Sequence, residues 1–185
     1  TDMPFQAPVI EQRKADKRRQ SEDEQSLPAR YIFVPFQVPH DTQVVCYSPW
    51  IADMEALFDA VMQAVKALEQ PDLMVIFKEH PSWHKHYPHL YHKDPQARFA
   101  NANLTQELIL GAQAVITINS TVGLEGLLLN KKVITLGQAC FNVEGLVLHC
   151  DNQQALNNTL QTLPNWQPNS ALKNAFFNYL KQVYC

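Results

Sequence analysis

The sequence predicts an α/β fold: a doubly wound, mostly parallel sheet with helices on both faces. Two observations carry this. Short apolar runs rich in β formers alternate with amphipathic stretches of helical period. Pro, Gly or Asn punctuates most of the junctions between them. Strands alternating with helices imply right-handed crossovers and a parallel sheet. The 185 residues, 46% of them apolar, suit one domain with a sizeable core.

Residues 1–30 read as a linker or flexible tail, because they lack hydrophobic periodicity and carry a basic run, Lys17-Arg18-Arg19, beside the acidic Glu22-Asp23-Glu24. The adjacent acids cancel the field that a membrane-surface patch would need. The folded domain is expected over 31–185. It opens with Tyr31-Ile32-Phe33-Val34, a buried strand. A helix follows, with Ser48 as cap and Pro49 in its first turn. Its apolar face is Ile51, Met54, Leu57, Phe58, Val61, Met62, Val65 and Leu68. Residues 73–77 form the second strand.

Residues 78–96 read as a polar loop holding His80, His84, His86, His89 and His92. Pro81 and Pro88 preclude a helix presenting two His one turn apart, and no carboxylate or Cys pattern of metal-site spacing accompanies them. The segment is therefore expected to be a mobile, solvated loop with no metal. A short strand is expected at 97–99 and a helix over 104–110, C-capped by Gly111. Strands at 114–118 and 132–136 flank a helix over 121–129. Helices over 152–162 and 170–183 finish the chain.

A net charge of −3 with 18% charged residues gives no reason to expect nucleic acid. No apolar run is long enough to span a membrane, and no signal peptide is readable. Cys46, Cys140, Cys150 and Cys185 are too widely spaced for a disulfide framework or zinc knuckle, which suits a reducing cytoplasm.

Parallel sheets bind ligands beyond the carboxyl ends of their strands. There the sequence places Gln37, His40, Asp41 and Gln43 after the first strand. Lys78, Glu79, His80 and Pro81 follow the second, and Asn119, Ser120, Thr121 and Gly123 the fourth. Asn119-Ser120-Thr121 leads from a strand into a helix N-terminus, where free N–H groups and hydroxyls suit a phosphate. The same Ser120 also serves as an ordinary N-cap. Gly123 and Gly126 are unfavourable inside a helix and point to close approach by a ligand or a neighbouring strand. Pro81 stiffens the turn at His80, whose imidazole can donate to a phosphoryl oxygen. Glu125, one turn into the helix, suits ribose hydroxyls.

Lys78-Glu79-His80-Pro81, followed about 40 residues later by Asn119-Ser120-Thr121 with Glu125, resembles the C-terminal half of capsule polysaccharide biosynthesis proteins. These are bacterial β-Kdo transferases of the GT-B fold that use CMP-Kdo. The stretch from Pro35 to Gln43 is similar to a glutamine-and-aspartate loop of that family, and the likeness spans roughly 31–150. The His-Pro and Ser-Thr pair also resembles bacterial sialyltransferases, which use a CMP-sugar as well.

The resemblance implies a Rossmann-like half of a GT-B glycosyltransferase that binds a CMP-sugar donor. His80, as the catalytic group, and Pro81, Asn119, Ser120 and Thr121 would hold the phosphate, helped by Lys78. Glu125 would hold the ribose, and Gln37, Asp41 and Gln43 would line the sugar cleft. No cofactor is implied. The partners implied are a glycan or glycolipid acceptor and an N-terminal GT-B half or other capsule-assembly proteins. The setting implied is the cytoplasm, with peripheral association at the inner membrane. One half is expected to be incomplete for catalysis by itself. Two alternatives stay open: a CDP-glycerol-type glycerophosphotransferase or sialyltransferase domain, and a non-catalytic regulatory or scaffold domain of the same fold.

Overall fold

The computed structural model describes residues 25–38 and 48–184. Among them the sheet has six strands: β1 (Tyr31–Pro35), β2 (Met74–Lys78), β3 (Ala97–Phe99), β4 (Ala114–Thr117), β5 (Lys132–Thr135) and β6 (Leu148–His149). Their order is β3-β2-β1-β4-β5-β6, and every neighbouring pair is parallel. This is the doubly wound order, in which the winding reverses between β1 and β4. The helices among the described residues are α1 (Met54–Lys66), α2 (Thr105–Gly111), α3 (Val122–Leu128), α4 (Gln153–Thr162) and α5 (Ser170–Tyr184).

The period-two alternation of the strands builds two cores. Ile32, Val34, Val75, Phe77, Ile116 and Ile134 face α1 and α4, meeting Leu57, Phe58, Val61, Leu156 and Leu160. Tyr31, Phe33, Ile76, Val115 and Val133 face the opposite side, where Leu108, Leu127 and Phe177 of α2, α3 and α5 cover them. Both faces are buried, which is why these strands read as continuous apolar runs.

Several boundaries differ from the sequence reading, each for a physical reason. Helix α1 starts at Met54, not beside Ser48; its cap is Asp53, whose carboxylate accepts from Ala56 N–H at 2.7 Å. The preceding residues tie the helix to the sheet instead. Trp50 Nε1 donates to the carbonyls of Leu136 (2.9 Å) and Cys150 (3.2 Å), and Ile51 enters the core. Gly111 is the last residue of α2, not its cap; a Cβ there would run into the Tyr31 phenol, which donates to the Leu108 carbonyl at 2.7 Å. Strand β2 extends to Lys78, a charged residue within an apolar strand. Strand β6 is two residues long and has no counterpart in the sequence pattern.

Within the segment read as a linker, the described residues from Gln25 onward are docked. Gln25 N–H donates to Asn103 Oδ1 (3.0 Å), and Asn103 Nδ2 donates back to the Gln25 carbonyl (2.9 Å). Arg30 pairs with Asp72 at 2.5 Å, and this bond holds the Asp72 carboxyl below its ordinary range.

Candidate functional site

The strand order places the crevice between the carboxyl ends of β1 and β4. Gln37, just beyond β1, and Asn119, just beyond β4, meet there. Gln37 Nε2 donates to Asn119 Oδ1 at 2.8 Å, and Gln37 Oε1 accepts from Asn119 N–H at 3.2 Å. Both residues are 7% exposed, so their amides brace the floor of the crevice. Thr117, the last residue of β4, completes the brace: its Oγ1 accepts from Ser120 N–H at 3.1 Å. Ser120 Oγ in turn accepts from Val122 N–H at 3.2 Å, which leaves the hydroxyl proton available to a ligand. Thr121 occupies the cap position of α3 with its hydroxyl exposed and making no cap bond. Glu125 lies in the first turn of α3, half-buried.

Gly123 and Gly126 have a packing explanation rather than a ligand. A Cβ at Gly123 would lie 2.8 Å from the Phe141 ring and 3.2 Å from Thr117 Cγ2. At Gly126 it would lie 3.2 Å from Val133 and 3.3 Å from Val115, so α3 rides directly on β4 and β5.

The turn beyond β2 is built differently. Its centre is Glu79, 1% exposed. Oε1 accepts from Tyr87 N–H and from the Tyr91 hydroxyl, each at 2.7 Å. Oε2 meets His86 Nδ1 at 2.7 Å and Asn101 Nδ2 at 3.1 Å. Asn101 Oδ1 also accepts from the Glu79 backbone N–H at 2.9 Å. His80 follows at once, half-buried. Its Nδ1 accepts from Ser82 N–H at 3.2 Å, which puts the proton of a neutral ring on Nε2 and makes that nitrogen a donor. Pro81, half-buried beside it, holds the turn.

The segment expected to be a mobile, solvated loop is folded. Tyr87 and Leu90 are buried, and Pro88–Leu90 form a 3₁₀ turn. Phe36 packs edge-on against Tyr87 at 5.2 Å, and Tyr91 contacts Phe99 at 4.9 Å. His89 reaches Glu55 on α1 at 3.0 Å. Burial pushes the Tyr87 phenol up; a bond with Trp83 opposes this, and Glu55, Glu79 and Asp53 add to it. Among the described residues, no group of three His, Cys, Asp or Glu is placed to share a metal ion.

The remaining predicted residues divide plainly. Lys78, expected beside a phosphate, is 4% exposed and donates from Nζ to the Asn103 carbonyl at 2.7 Å. It therefore reaches the segment that follows β3. Asp41 and Gln43 lie outside the described residues. Gln37, Asn119 and Ser120 are brought together, with His80 on the neighbouring strand end. Sequence reasoning missed Thr117, Asn101 and Tyr91. A hydroxyl inside the apolar run Val115-Ile116-Thr117-Ile118 was the available signal for the first; the other two carried none.

A family model described as capsule polysaccharide biosynthesis protein matches residues 6–184. Protein FixF of Sinorhizobium fredii is 44% identical over 154 residues, covering 83% of this chain and 38% of that protein. Capsule polysaccharide export protein KpsS of Escherichia coli is 28% identical over 146 residues, covering 74% of this chain and 36% of that protein. The chain thus spans less than two thirds of the length of either relative. Among solved structures, the β-Kdo 2,7 transferase of Thermosulfurimonas dismutans KpsC superposes with a TM-score of 0.55 at 19% identity, over 77% of this chain and 51% of that one. A Methanocaldococcus jannaschii UDP-GlcNAc 2-epimerase, in complex with UDP-GlcNAc and UDP, gives a TM-score of 0.54 at 15% identity, over 85% of this chain and 43% of that one. These likenesses concern the fold, which is that of a Rossmann-like half of a GT-B protein. With its family match running through nearly all of the sequence, this chain belongs to the capsule polysaccharide biosynthesis protein family.

Proposed function

We propose that the chain is the donor-binding half of a glycosyltransferase of bacterial surface-polysaccharide assembly, taking a CMP-sugar with CMP-Kdo as the foremost candidate. The observation that carries this is the hydrogen-bonded brace of Gln37, Asn119 and Ser120 beyond the carboxyl ends of β1 and β4, where the strand order reverses. The likeness to KpsC, a β-Kdo 2,7 transferase, supports the choice of sugar. In transfer, the bond between the anomeric carbon and the phosphate oxygen breaks. The electron pair leaves with CMP, whose phosphate gains negative charge. His80 Nε2–H and the Ser120 hydroxyl are donors suited to that charge, and a preorganised donor strengthens as charge develops. Thr121 adds an exposed hydroxyl, Glu125 a carboxylate for the ribose, and Pro81 rigidity. Gln37 acts through Asn119, and Lys78 acts through the Asn103 carbonyl rather than on the phosphate. Asp41 and Gln43 remain candidates for the sugar side.

The acceptor is a glycan or glycolipid, and a second GT-B half or another capsule-assembly protein supplies the groups that activate it. The reaction belongs to the cytoplasm, at the inner membrane face. No helix among the described residues is long and apolar enough to cross a membrane. Thermal shift tests the donor class. CMP is expected to raise the midpoint more than UMP or CDP-glycerol at equal concentration, because only a ligand of the native state stabilises by mass action. A larger shift with CDP-glycerol would move the protein to glycerophosphate transfer.

A further inference from the structure

We infer that Glu79 is the positioning residue for His80, setting the imidazole toward the donor phosphate by organising the whole segment from Pro81 to His92. The inference rests on the reading of His80 as a donor-site group. Its basis is the wiring of Glu79. The carboxylate is buried at the end of β2, immediately before His80. Its two oxygens meet groups 7, 8, 12 and 22 residues away: His86, the Tyr87 N–H, Tyr91 and Asn101. One side chain thereby closes the loop on itself and ties it to the segment after β3. Asn101 fixes the same residue through its backbone N–H, so the direction in which the chain leaves β2 is also set.

The segment between His80 and His92 has one 3₁₀ turn and no other regular structure, so its backbone has no ladder of its own to hold it. Buried polar groups carry that role only when they are paired, and Glu79 is the acceptor on which these donors converge. His80 inherits the order. Its Nδ1 accepts from Ser82 N–H, within the segment that Glu79 closes, so the ring is tied to that backbone. Glu79 is itself buried and acts through His80, the residue that follows it.

The test uses Glu79→Gln, His80→Ala and the double variant, with three readouts. These are CMP affinity by calorimetry, the imidazole nitrogen signals of His80 by NMR, and amide exchange over 80–92. In the wild-type background Glu79→Gln is expected to weaken CMP by about tenfold, the scale of one charged hydrogen bond. In the His80→Ala background it is expected to change nothing. The His80 signals should lose the Nε2–H pattern, and exchange over 80–92 should rise. An unchanged CMP affinity, an equal loss in both backgrounds, or an unchanged His80 spectrum would overturn the proposal. Should Glu79→Gln fail to fold, Tyr91→Phe removes one donor, keeps the ring packing and carries the same readouts. If wild-type protein does not bind CMP, the donor-site reading falls. The nitrogen signals and exchange then still decide whether Glu79 positions His80.

Discussion

Two turns leave the same edge of the sheet and are held by opposite chemistry. The turn after β4 is braced by neutral groups: the paired amides of Gln37 and Asn119 and the hydroxyls of Thr117 and Ser120. It is tight, and passes straight into α3. The turn after β2 is organised by a buried carboxylate, Glu79, which gathers donors from distant positions. It is long and irregular. The difference teaches how a parallel sheet presents a site. A short turn inherits its order from the helix it starts, whereas a long one needs an internal hub. The first turn carries its hydroxyls into the start of α3; the second keeps the Glu79 side chain buried, with His80 beside it.

The largest expected effect tests how tightly the β4 turn is packed. Gly123→Ala places a methyl 2.8 Å from the Phe141 ring and is expected to lose about 1–3 kcal/mol in urea unfolding, the range for overpacking. Gly126→Ala, three residues on, meets branched methyls at 3.2 and 3.3 Å. There the propensity gain of about 1 kcal/mol for Ala over Gly offsets the strain, leaving a near-neutral change. Equal losses at both positions would break the assignment of Gly123 to the Phe141 contact.

Next comes the brace. Gln37→Ala removes two hydrogen bonds to Asn119 and is expected to lower stability by about 1–3 kcal/mol. CMP affinity should fall with it, measured by calorimetry on protein that is still folded. An intact affinity would place the ligand elsewhere than over this floor.

Tyr31 provides a control at the opposite end of β1. Burial first, and the Glu107 charge second, push its phenol from 10.0 up to about 12. The native state therefore keeps a proton that the unfolded chain releases. That contribution is full below pH 10 and is lost as pH rises toward 12. Denaturant midpoints of wild type should fall more steeply over this window than those of Tyr31→Phe. Parallel profiles would contradict a buried, protonated phenol.

The smallest effect separates the two turns most cleanly. Lys78→Met removes an ammonium directed at the Asn103 carbonyl and is expected to leave CMP affinity within about twofold. A loss of tenfold or more would return Lys78 to the phosphate.

Much of this architecture was legible in the residues. The runs from Tyr31, Leu73, Ala114 and Lys132 are buried on both faces, so they announce strands without ambiguity. Topology alone sends Gln37, His80, Asn119 and Ser120 to the carboxyl edge of the sheet, because each lies just beyond the end of a strand. Other features were hidden for definable reasons. Leu148-His149 is too short to show a period. Ser48-Pro49 carries a valid helix start, yet Trp50 and Ile51 are committed to the sheet and core, so Asp53 takes the cap. The Glu79 hub draws on residues as far away as Asn101, and no local pattern encodes such a convergence. At Lys78 a charged residue at a strand end suggests a ligand contact in the sequence, whereas in the fold it is buried and its ammonium donates to the Asn103 carbonyl.

The central claim is that the β1–β4 crevice holds a cytidine nucleotide through His80 and the Asn119-Ser120-Thr121 turn. Calorimetric titration of CMP into wild type, His80→Ala and Ser120→Ala measures this directly. Binding tighter than about 1 mM by wild type, weakened at least about tenfold by each substitution, is the expected result. No heat of binding at millimolar CMP, or equal affinity in all three proteins, would contradict it.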